Sequence, residues 1–284
     1  MRTWLAGYEM RSAETLDSAL AMLSAAPGEW RPFAGGTDLM VLMEAGQLPA
    51  RRFVDLWKLH ELRGIQVSDD TVTIGALSTY TDLLEHPVLA AEFPLVCTAA
   101  RETGAVAIQN RGTIGGNVAN ASPAADLPPA LLVYDAELEL ASTRGRRRLE
   151  YDRFHTGYKK MDLAGDELIV SVSLPRTGPF SKASYRKVGT RRAQAISKIC
   201  FAAGARLRPD GAIGDVRIAF GSVAPTVVRA RAAEGALRGR RPDQQALAAA
   251  RDALAVDIAP IDDIRSTASY RLKVAGNLLE EFFS

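Results

Sequence analysis

The segment Thr113–Pro129 constrains the fold of this chain more than any other part of the sequence. It places a Gly-Gly pair, Asn117, Asn120, Ser122 and Asp126 among small apolar residues, and it contains no Lys, Arg or Glu. Small residues let a backbone approach a ligand closely, and paired glycines tolerate the backbone angles of an anion-binding turn. Short polar side chains in an apolar wall are typical of a ligand pocket. The segment therefore predicts a binding loop, and a tight turn followed by a proline-bounded loop is the alternative.

A second glycine pair lies nearer the N-terminus, within Phe33–Leu39. It follows a short stretch that predicts a strand over Trp30–Ala34, and it precedes Met40–Met43, which predicts the first turns of a helix. Thr37 or Asp38 is placed to cap that helix, so the glycines would lie at a positive helix N-terminus that suits a phosphate. The segment is neither a P-loop nor a Gly-x-Gly-x-x-Gly fingerprint. A capping turn explains one such loop, whereas two loops together indicate a binding site.

The order of the predicted elements indicates an α+β chain in two parts. In the first part we expect a helix from Ser12 to Leu23, strands at 52–55, 71–76 and 167–174, helices at 79–84 and 88–103, and a hairpin at 136–151. Arg176–Pro179 interrupts the pattern and divides residues 1–176 from residues 177–284. In the second part we expect three antiparallel strands at 182–188, 195–208 and 213–220, followed by helices at 230–237, 241–254 and 267–282. Strands followed by helices predict a sheet that helices cover on one face.

The composition favours some classes of protein and excludes others. A formal net charge of +2 gives no reason to expect a nucleic-acid partner. No apolar run is long enough to span a bilayer and the N-terminus has no long apolar core, so we expect a cytoplasmic protein without a membrane span. Cys97 and Cys200 are far apart in apolar surroundings, which favours buried thiols, and two cysteines are too few for an iron–sulfur cluster. No Ser/His/Asp, Cys/His or metal-ligating set is present, so we predict no catalytic residue and assign any difficult chemistry to a bound cofactor.

Both glycine loops occur in an order that resembles the FAD-binding medium subunits of the xanthine dehydrogenase and carbon monoxide dehydrogenase family. The segments that carry the resemblance are Ala34–Leu39, Asn110–Asn117, Ser122–Asp126, Gly157–Lys160, Asp166–Ile169, Tyr185–Arg192 and Gly221–Thr226. The resemblance implies a two-part FAD-binding domain of the PCMH/vanillyl-alcohol-oxidase type over residues 1–176. It also implies a smaller α+β carbon monoxide dehydrogenase flavoprotein-like domain over residues 177–284, with a three-stranded antiparallel sheet covered by helices.

The same resemblance implies a set of FAD-binding residues. Backbone N–H groups of the first loop would bind the pyrophosphate beside Arg31, and the second loop would lie near the flavin. The implied residues are Arg31, Phe33, Ala34, Gly35, Gly36, Thr37, Asp38, Leu39, Thr113, Ile114, Gly115, Gly116, Asn117, Asn120, Asp126, Ile169 and Lys187. For Lys187, which shares a basic stretch with Arg191 and Arg192, a solvated strand end is the alternative. Arg191 and Arg192 would also attract an acidic cofactor or NAD.

By this resemblance the chain is the flavoprotein subunit of a molybdenum hydroxylase, such as xanthine dehydrogenase, in a heterotrimer. It would take electrons from a [2Fe–2S] small subunit onto FAD and pass them to NAD or another acceptor. The substrate would be hydroxylated at a molybdopterin cofactor on a large subunit. Two alternatives stay open: a stand-alone FAD-dependent oxidase or dehydrogenase with its own acid–base residue, and a non-enzymatic nucleotide-binding protein in which the glycine loops are only turns.

Overall fold

The computed structural model describes residues 7–191 and 194–284. Its strands are β1 (Glu9–Ser12), β2 (Trp30–Phe33), β3 (Arg52–Asp55), β4 (Ile65–Val67), β5 (Thr71–Gly75), β6 (Glu137–Ser142), β7 (Gly145–Glu150), β8 (His155–Gly157), β9 (Lys160–Met161), β10 (Leu168–Pro175), β11 (Lys182–Val188), β12 (Ile199–Leu207), β13 (Ile213–Gly221) and β14 (Val228–Arg229). Its α-helices are α1 (Leu16–Ala25), α2 (Leu39–Glu44), α3 (Tyr80–Glu85), α4 (Pro87–Glu92), α5 (Pro94–Glu102), α6 (Val106–Gln109), α7 (Ile114–Ala119), α8 (Pro128–Val133), α9 (Arg231–Leu237), α10 (Gln244–Asp257) and α11 (Ala268–Phe283).

The first part of the chain contains two main sheets. β1, β3 and β2 form a parallel three-stranded sheet in that order, and β4, β5, β10, β6 and β7 form an antiparallel five-stranded sheet. β10 lies at the centre of the larger sheet and is buried on both faces. Ile169 and Val172 contribute to the main core, whereas Leu168 and Val170 contribute to a second core under α1. This two-sided burial explains why the sequence of β10 is a nearly continuous apolar run.

The second part is a sheet in the order β11-β12-β13-β14 with three helices on one face. The three predicted strands are present, and the two-residue β14 extends the sheet beyond the prediction. Alternate residues of β12 face opposite ways. Ile199 and Phe201 pack in the core with α9, α10 and α11, while Cys200 and Ala202 pack in the main core of the first part. The sheet is therefore covered on both faces, because α8 of the first part lies against the side that the helices leave open.

Every predicted helix has somewhat different bounds in the structure, and two of the differences have a clear local cause. The first helix begins at Leu16 because Ser12 ends β1, and Thr15 caps the helix by accepting a hydrogen bond from the Ser18 amide at 3.1 Å. The helix predicted over 88–103 is two helices, α4 and α5. Pro94 occupies the first position of α5, where proline needs no amide hydrogen, and it cannot continue the helix that precedes it.

The hairpin β6–β7 lies where the sequence predicts it, and β7 is an edge strand. Its three arginines form ion pairs with carboxylates of β6 and of the segment before β10, so the basic run is a solvated edge as expected. Cys97 and Cys200 are both buried and free. No helix within the described residues is long and apolar enough to cross a membrane. Residues 1–6 and Arg192, which entered the expectations about targeting and acceptor attraction, lie outside the described residues.

Candidate cofactor-binding site

A cavity of about 490 Å³ lies where the two sheets of the first part meet α7. This volume falls in the range of roughly 300–1,000 Å³ that small-molecule sites occupy. Most of the predicted site residues line it: Arg31, Ala34, Gly35, Gly36, Thr37, Asp38, Leu39, Thr113, Gly115, Gly116, Asn117, Asn120 and Ile169. Two loops separated by more than seventy positions in the sequence therefore form one wall.

The first glycine loop offers backbone donors to the cavity. No described residue accepts a hydrogen bond from the amides of Gly35, Gly36 or Thr37. Gly36 has a φ of +74°, a conformation that favours glycine. Gly35 is required for another reason, because a Cβ at this position would lie 1.8 Å from the backbone oxygen of Arg111. The two glycine loops are thus in direct backbone contact.

The predicted cap of the first loop differs from the observed one. Asp38 occupies the N-cap position of α2, but its side chain makes no capping hydrogen bond, and α2 is only six residues long. The carboxylate instead accepts a hydrogen bond from Asn120 Nδ2 at 3.2 Å. The donors that this loop presents are therefore its free amides rather than a long helix dipole.

The second glycine pair lies within a helix, so the anion-binding turn predicted there is wrong. Thr113 caps α7, and its Oγ1 accepts from the Gly116 amide at 3.1 Å. Gly115 donates to the backbone oxygen of Ala76 at 2.9 Å, so neither glycine amide is free. A Cβ on Gly115 would meet the Ala76 Cβ at 2.7 Å. These glycines allow α7 to pack closely against the end of β5. They are needed because they have no side chain, and not because the backbone adopts unusual angles there.

Two polar groups of the cavity lack partners among the described residues. Asn117 Oδ1 is buried and accepts no hydrogen bond there. The side chain of Arg31 forms no hydrogen bond or ion pair with any described residue, although it lines the cavity. A buried acceptor without a donor costs free energy, and ligands commonly satisfy such groups. Glu167 differs, because both of its oxygens accept from Arg147, at 2.8 and 2.9 Å, and these hydrogen bonds lower the pKa of the Glu167 carboxyl.

Four predicted residues do not line the cavity. Phe33 packs against Phe53, with ring centroids 6.0 Å apart, and its ring lies under Gly36. Ile114 is fully buried in the main core. Asp126 and Lys187 are also absent from the lining of the cavity.

Asp126 and Lys187 bind each other behind the cavity wall. Lys187 Nζ lies 2.7 Å from Asp126 Oδ2 and donates to the backbone oxygen of Glu102 at 2.8 Å. The side chains are 7% and 11% exposed, so the solvated strand end considered for Lys187 is wrong. Burial raises the pKa of the Asp126 carboxyl, and the charge of Lys187 acts against that shift. Cys200 donates to Asp126 Oδ1 at 3.2 Å, and burial raises the pKa of this thiol.

Several lining residues were not predicted: Leu56, Leu62, Ala76, Leu77, Tyr80, Gly112, Lys159, Met161, Leu163 and Glu167. The apolar members end strands or turns, and nothing in their local sequence separates them from ordinary core residues. Gly112 and Lys159 lie in segments that carried the family resemblance, so the signal was present but was not assigned to the site. Tyr80 begins α3, and a Cβ on Gly112 would contact its ring at 2.6 Å. Within the described residues there is no group of three or more His, Cys, Asp or Glu side chains that could bind a metal.

A two-sheet domain with a glycine-rich cavity at the junction, backed by the C-terminal sheet and its helices, is an arrangement that suits a bound cofactor. Residues 6–177 match the family described as the FAD binding domain in molybdopterin dehydrogenase, and residues 183–284 match the CO dehydrogenase flavoprotein C-terminal domain. The chain therefore belongs to the family of FAD-binding subunits of xanthine dehydrogenase and carbon monoxide dehydrogenase, as the resemblance indicated. It is an oxidoreductase subunit, and its cofactor is FAD.

Similar proteins cover nearly the whole chain. The putative xanthine dehydrogenase FAD-binding subunit of Escherichia coli K12 is 34% identical over 274 residues, which are 96% of this chain and 93% of that protein. A solved structure of carbon monoxide dehydrogenase from Hydrogenophaga pseudoflava has a TM-score of 0.92 at 30% identity, covering 97% of this chain and 95% of the other. Quinoline 2-oxidoreductase from Pseudomonas putida 86 has a TM-score of 0.89 at 26% identity, with 97% and 95% covered. The fold is thus shared by proteins whose names specify different substrates.

Proposed function

We propose that this chain is the electron-transfer flavoprotein of a molybdenum hydroxylase in which substrate oxidation occurs on another subunit. It accepts electrons from a [2Fe–2S] subunit and passes them to NAD or another acceptor, in a heterotrimer that includes a molybdopterin subunit. Xanthine is the substrate we propose first, because the xanthine dehydrogenase subunit of Escherichia coli K12 shares 34% identity over 96% of this chain. In this proposal residues 1–176 bind the cofactor and residues 177–284 support it.

The observation that carries the proposal is that one cavity contains both hydrogen-bond donors and a hydrogen-bond acceptor without partners among the described residues. The free amides of the first loop and the unpaired Arg31 suit an anionic diphosphate. Asn117 Oδ1 suits an N–H group of a heterocyclic ring, and the apolar segments around Ile169 suit its faces. The described residues therefore fit FAD.

Bound FAD supplies the redox chemistry, and the chain's own residues bind and orient it. Gly35, Gly36, Thr37 and Arg31 hold the diphosphate. α7 supplies Asn117 and a surface without side chains at Gly115 and Gly116. The residues that do not line the cavity stabilise the positions of the two loops; these are Phe33, Ile114, Asp126 and Lys187.

The test is an absorbance spectrum of the purified chain with FAD, for the wild type and for Asn117→Ala, followed by anaerobic addition of NADH. We expect bound flavin in the wild type and about tenfold weaker binding in the variant, because one buried hydrogen bond is lost. Asn110→Ala is the matched control, because Asn110 is exposed and accepts only from Thr81. Flavin bleaching by NADH would identify a nicotinamide acceptor.

Different failures separate the alternatives. A chain that stays colourless with excess FAD would refute the flavoprotein function and favour the nucleotide-binding alternative. Turnover of xanthine or another organic substrate by the isolated chain would refute the division of labour and favour a stand-alone oxidase. Failure of the chain to form a complex when expressed with iron–sulfur and molybdenum subunits would contradict the proposed assembly.

A further inference from the structure

Three polar residues join three separate segments at the edge of the cavity. Asp38 belongs to the first glycine loop, Asn120 ends α7, and Lys159 lies in the turn of the β8–β9 hairpin. Lys159 Nζ donates to the backbone oxygen of Asn120 at 2.7 Å and to its Oδ1 at 2.8 Å. Asn120 Nδ2 in turn donates to Asp38 Oδ1 at 3.2 Å. We call this chain of bonds the Asp38–Asn120–Lys159 clasp, and all three residues line the cavity.

The backbone at Lys159 adopts a conformation that is uncommon for a lysine. Its φ is +57°, in the left-handed region that side chains other than glycine and asparagine rarely adopt. The hairpin has a glycine at position 157, yet the left-handed position is occupied by a lysine. Strained conformations persist where the surrounding contacts over-determine them. Here the two hydrogen bonds to Asn120 hold the side chain toward the cavity.

The charged groups that act on Lys159 are those of Asp38 and Arg31, and both residues line the cavity. Burial lowers the pKa of its ammonium group, the charge of Asp38 acts in the opposite direction, and the charge of Arg31 adds to the lowering. Two cations, Arg31 and Lys159, therefore share this end of the cavity with one carboxylate. Lys160, the next residue, is exposed like Lys159 but has no such partners among the described residues.

We propose that Lys159 is a positioning residue that controls entry and release of FAD by fastening the hairpin and both glycine loops together. This inference rests on the proposed function, since it takes FAD as the ligand. Lys159 acts through Asn120 and Asp38, which hold the ends of α7 and of the first loop. Because the three segments line one cavity, breaking the clasp lets them separate and so eases the exit of FAD. Loss of the clasp therefore accelerates release more than it lowers the stability of the fold.

The experiment measures the rate of FAD release, by recovery of flavin fluorescence after dilution, for wild type, Lys159→Met and Lys160→Met. We expect release to accelerate about threefold to fivefold in Lys159→Met, which loses two solvent-exposed hydrogen bonds from a charged group. Lys160→Met removes an equal charge one residue away and should stay within about twofold of wild type. Lys159→Arg, which can still donate, should restore most of the slow release. Tm should stay close to the wild-type value in all three variants, whereas a merely structural role would lower Tm in Lys159→Met as well.

Amide hydrogen exchange in FAD-free protein provides the second measurement. Lys159→Met should raise exchange in residues 34–39 and 155–161, and Lys159→Gly, which relaxes the backbone but also removes the clasp, should do the same. Unchanged release in Lys159→Met, with wild type binding FAD, would overturn the clasp and leave the proposed function intact. If wild type binds no FAD, the proposed function fails, and unchanged exchange in Lys159→Met would reject the clasp independently.

Discussion

Replacing Gly35 with alanine tests the contact between the two glycine loops. The added Cβ would lie 1.8 Å from the Arg111 backbone oxygen and 2.6 Å from its carbonyl carbon. Ordinary contacts of a Cβ begin at 3.4 Å, so the loops must separate by roughly 1.5 Å. The obstruction is backbone and not the flexible end of a side chain, so no rotamer change relieves it.

The expected cost follows from the packing of both loops. Forcing an extra carbon into a filled site typically costs about 1–3 kcal/mol. The FAD-free chain can spread its loops to relieve part of this strain, whereas FAD requires them together. We therefore expect the dissociation constant for FAD to rise by about 5- to 150-fold. The strain that remains without FAD should lower Tm by about 2–4 °C for each kcal/mol.

The assay is titration of the FAD-free chain with FAD, followed by absorbance and fluorescence, with Tm measured on the same samples. Gly235→Ala is the control. Gly235 lies in α9 with open space at its Cβ position, and alanine there should raise stability by about 1 kcal/mol without changing FAD affinity. Wild-type affinity and Tm in Gly35→Ala would refute the reasoning. A lowered Tm with unchanged affinity would refute the placement of FAD between the loops.

Two further predictions concern buried and partly buried ion pairs. Lys187→Met should lower the free energy of unfolding by about 3–5 kcal/mol, because Asp126 then stays buried without its cation. Adding Asp126→Asn to this variant should recover part of the loss. Equal urea midpoints for Lys187→Met and wild type would contradict this prediction. Because Arg147 lowers the pKa of the Glu167 carboxyl, the pair stabilises the fold above the unfolded pKa of about 4.3 and loses this effect as pH falls through the lowered folded value. In Arg147→Met, Tm should therefore fall less steeply than in wild type between about pH 5 and pH 3. The control Arg146→Met should keep the wild-type slope, because its partner Glu139 keeps a second cation in Arg148.

Local sequence patterns were sufficient for most of the fold. The strand β11 has the predicted bounds, and β13 differs by one residue, because alternation and the Pro209–Gly211 turn are both local signals. Both glycine loops were placed at the ligand site, and the structure brings them together. Proline identity also marks the break between α4 and α5, although the apolar periodicity across 88–103 concealed it.

What the sequence could not provide were contacts between distant segments. The helical state of Gly115 and Gly116 depends on the cap at Thr113 and on packing against Ala76, which lies far away in the sequence. Asp126 and Lys187 are 61 residues apart, and their mutual pairing, rather than a contact with the cavity, is decided by how the second part docks. Lys159 likewise gains its role from a bond to Asn120 across 39 positions.

The alternating faces of β12 also limit how this family can recombine. Even-numbered residues such as Cys200 and Ala202 fit the interior of the first part, and odd-numbered residues such as Phe201 fit the helices behind. A hybrid of two relatives joined at Arg176–Pro179 would have its junction in a connecting segment. It would nevertheless pack the first part of one protein against the C-terminal sheet of another, across a core that both parts share. Productive hybrids between relatives would therefore need to inherit α8 together with the C-terminal sheet.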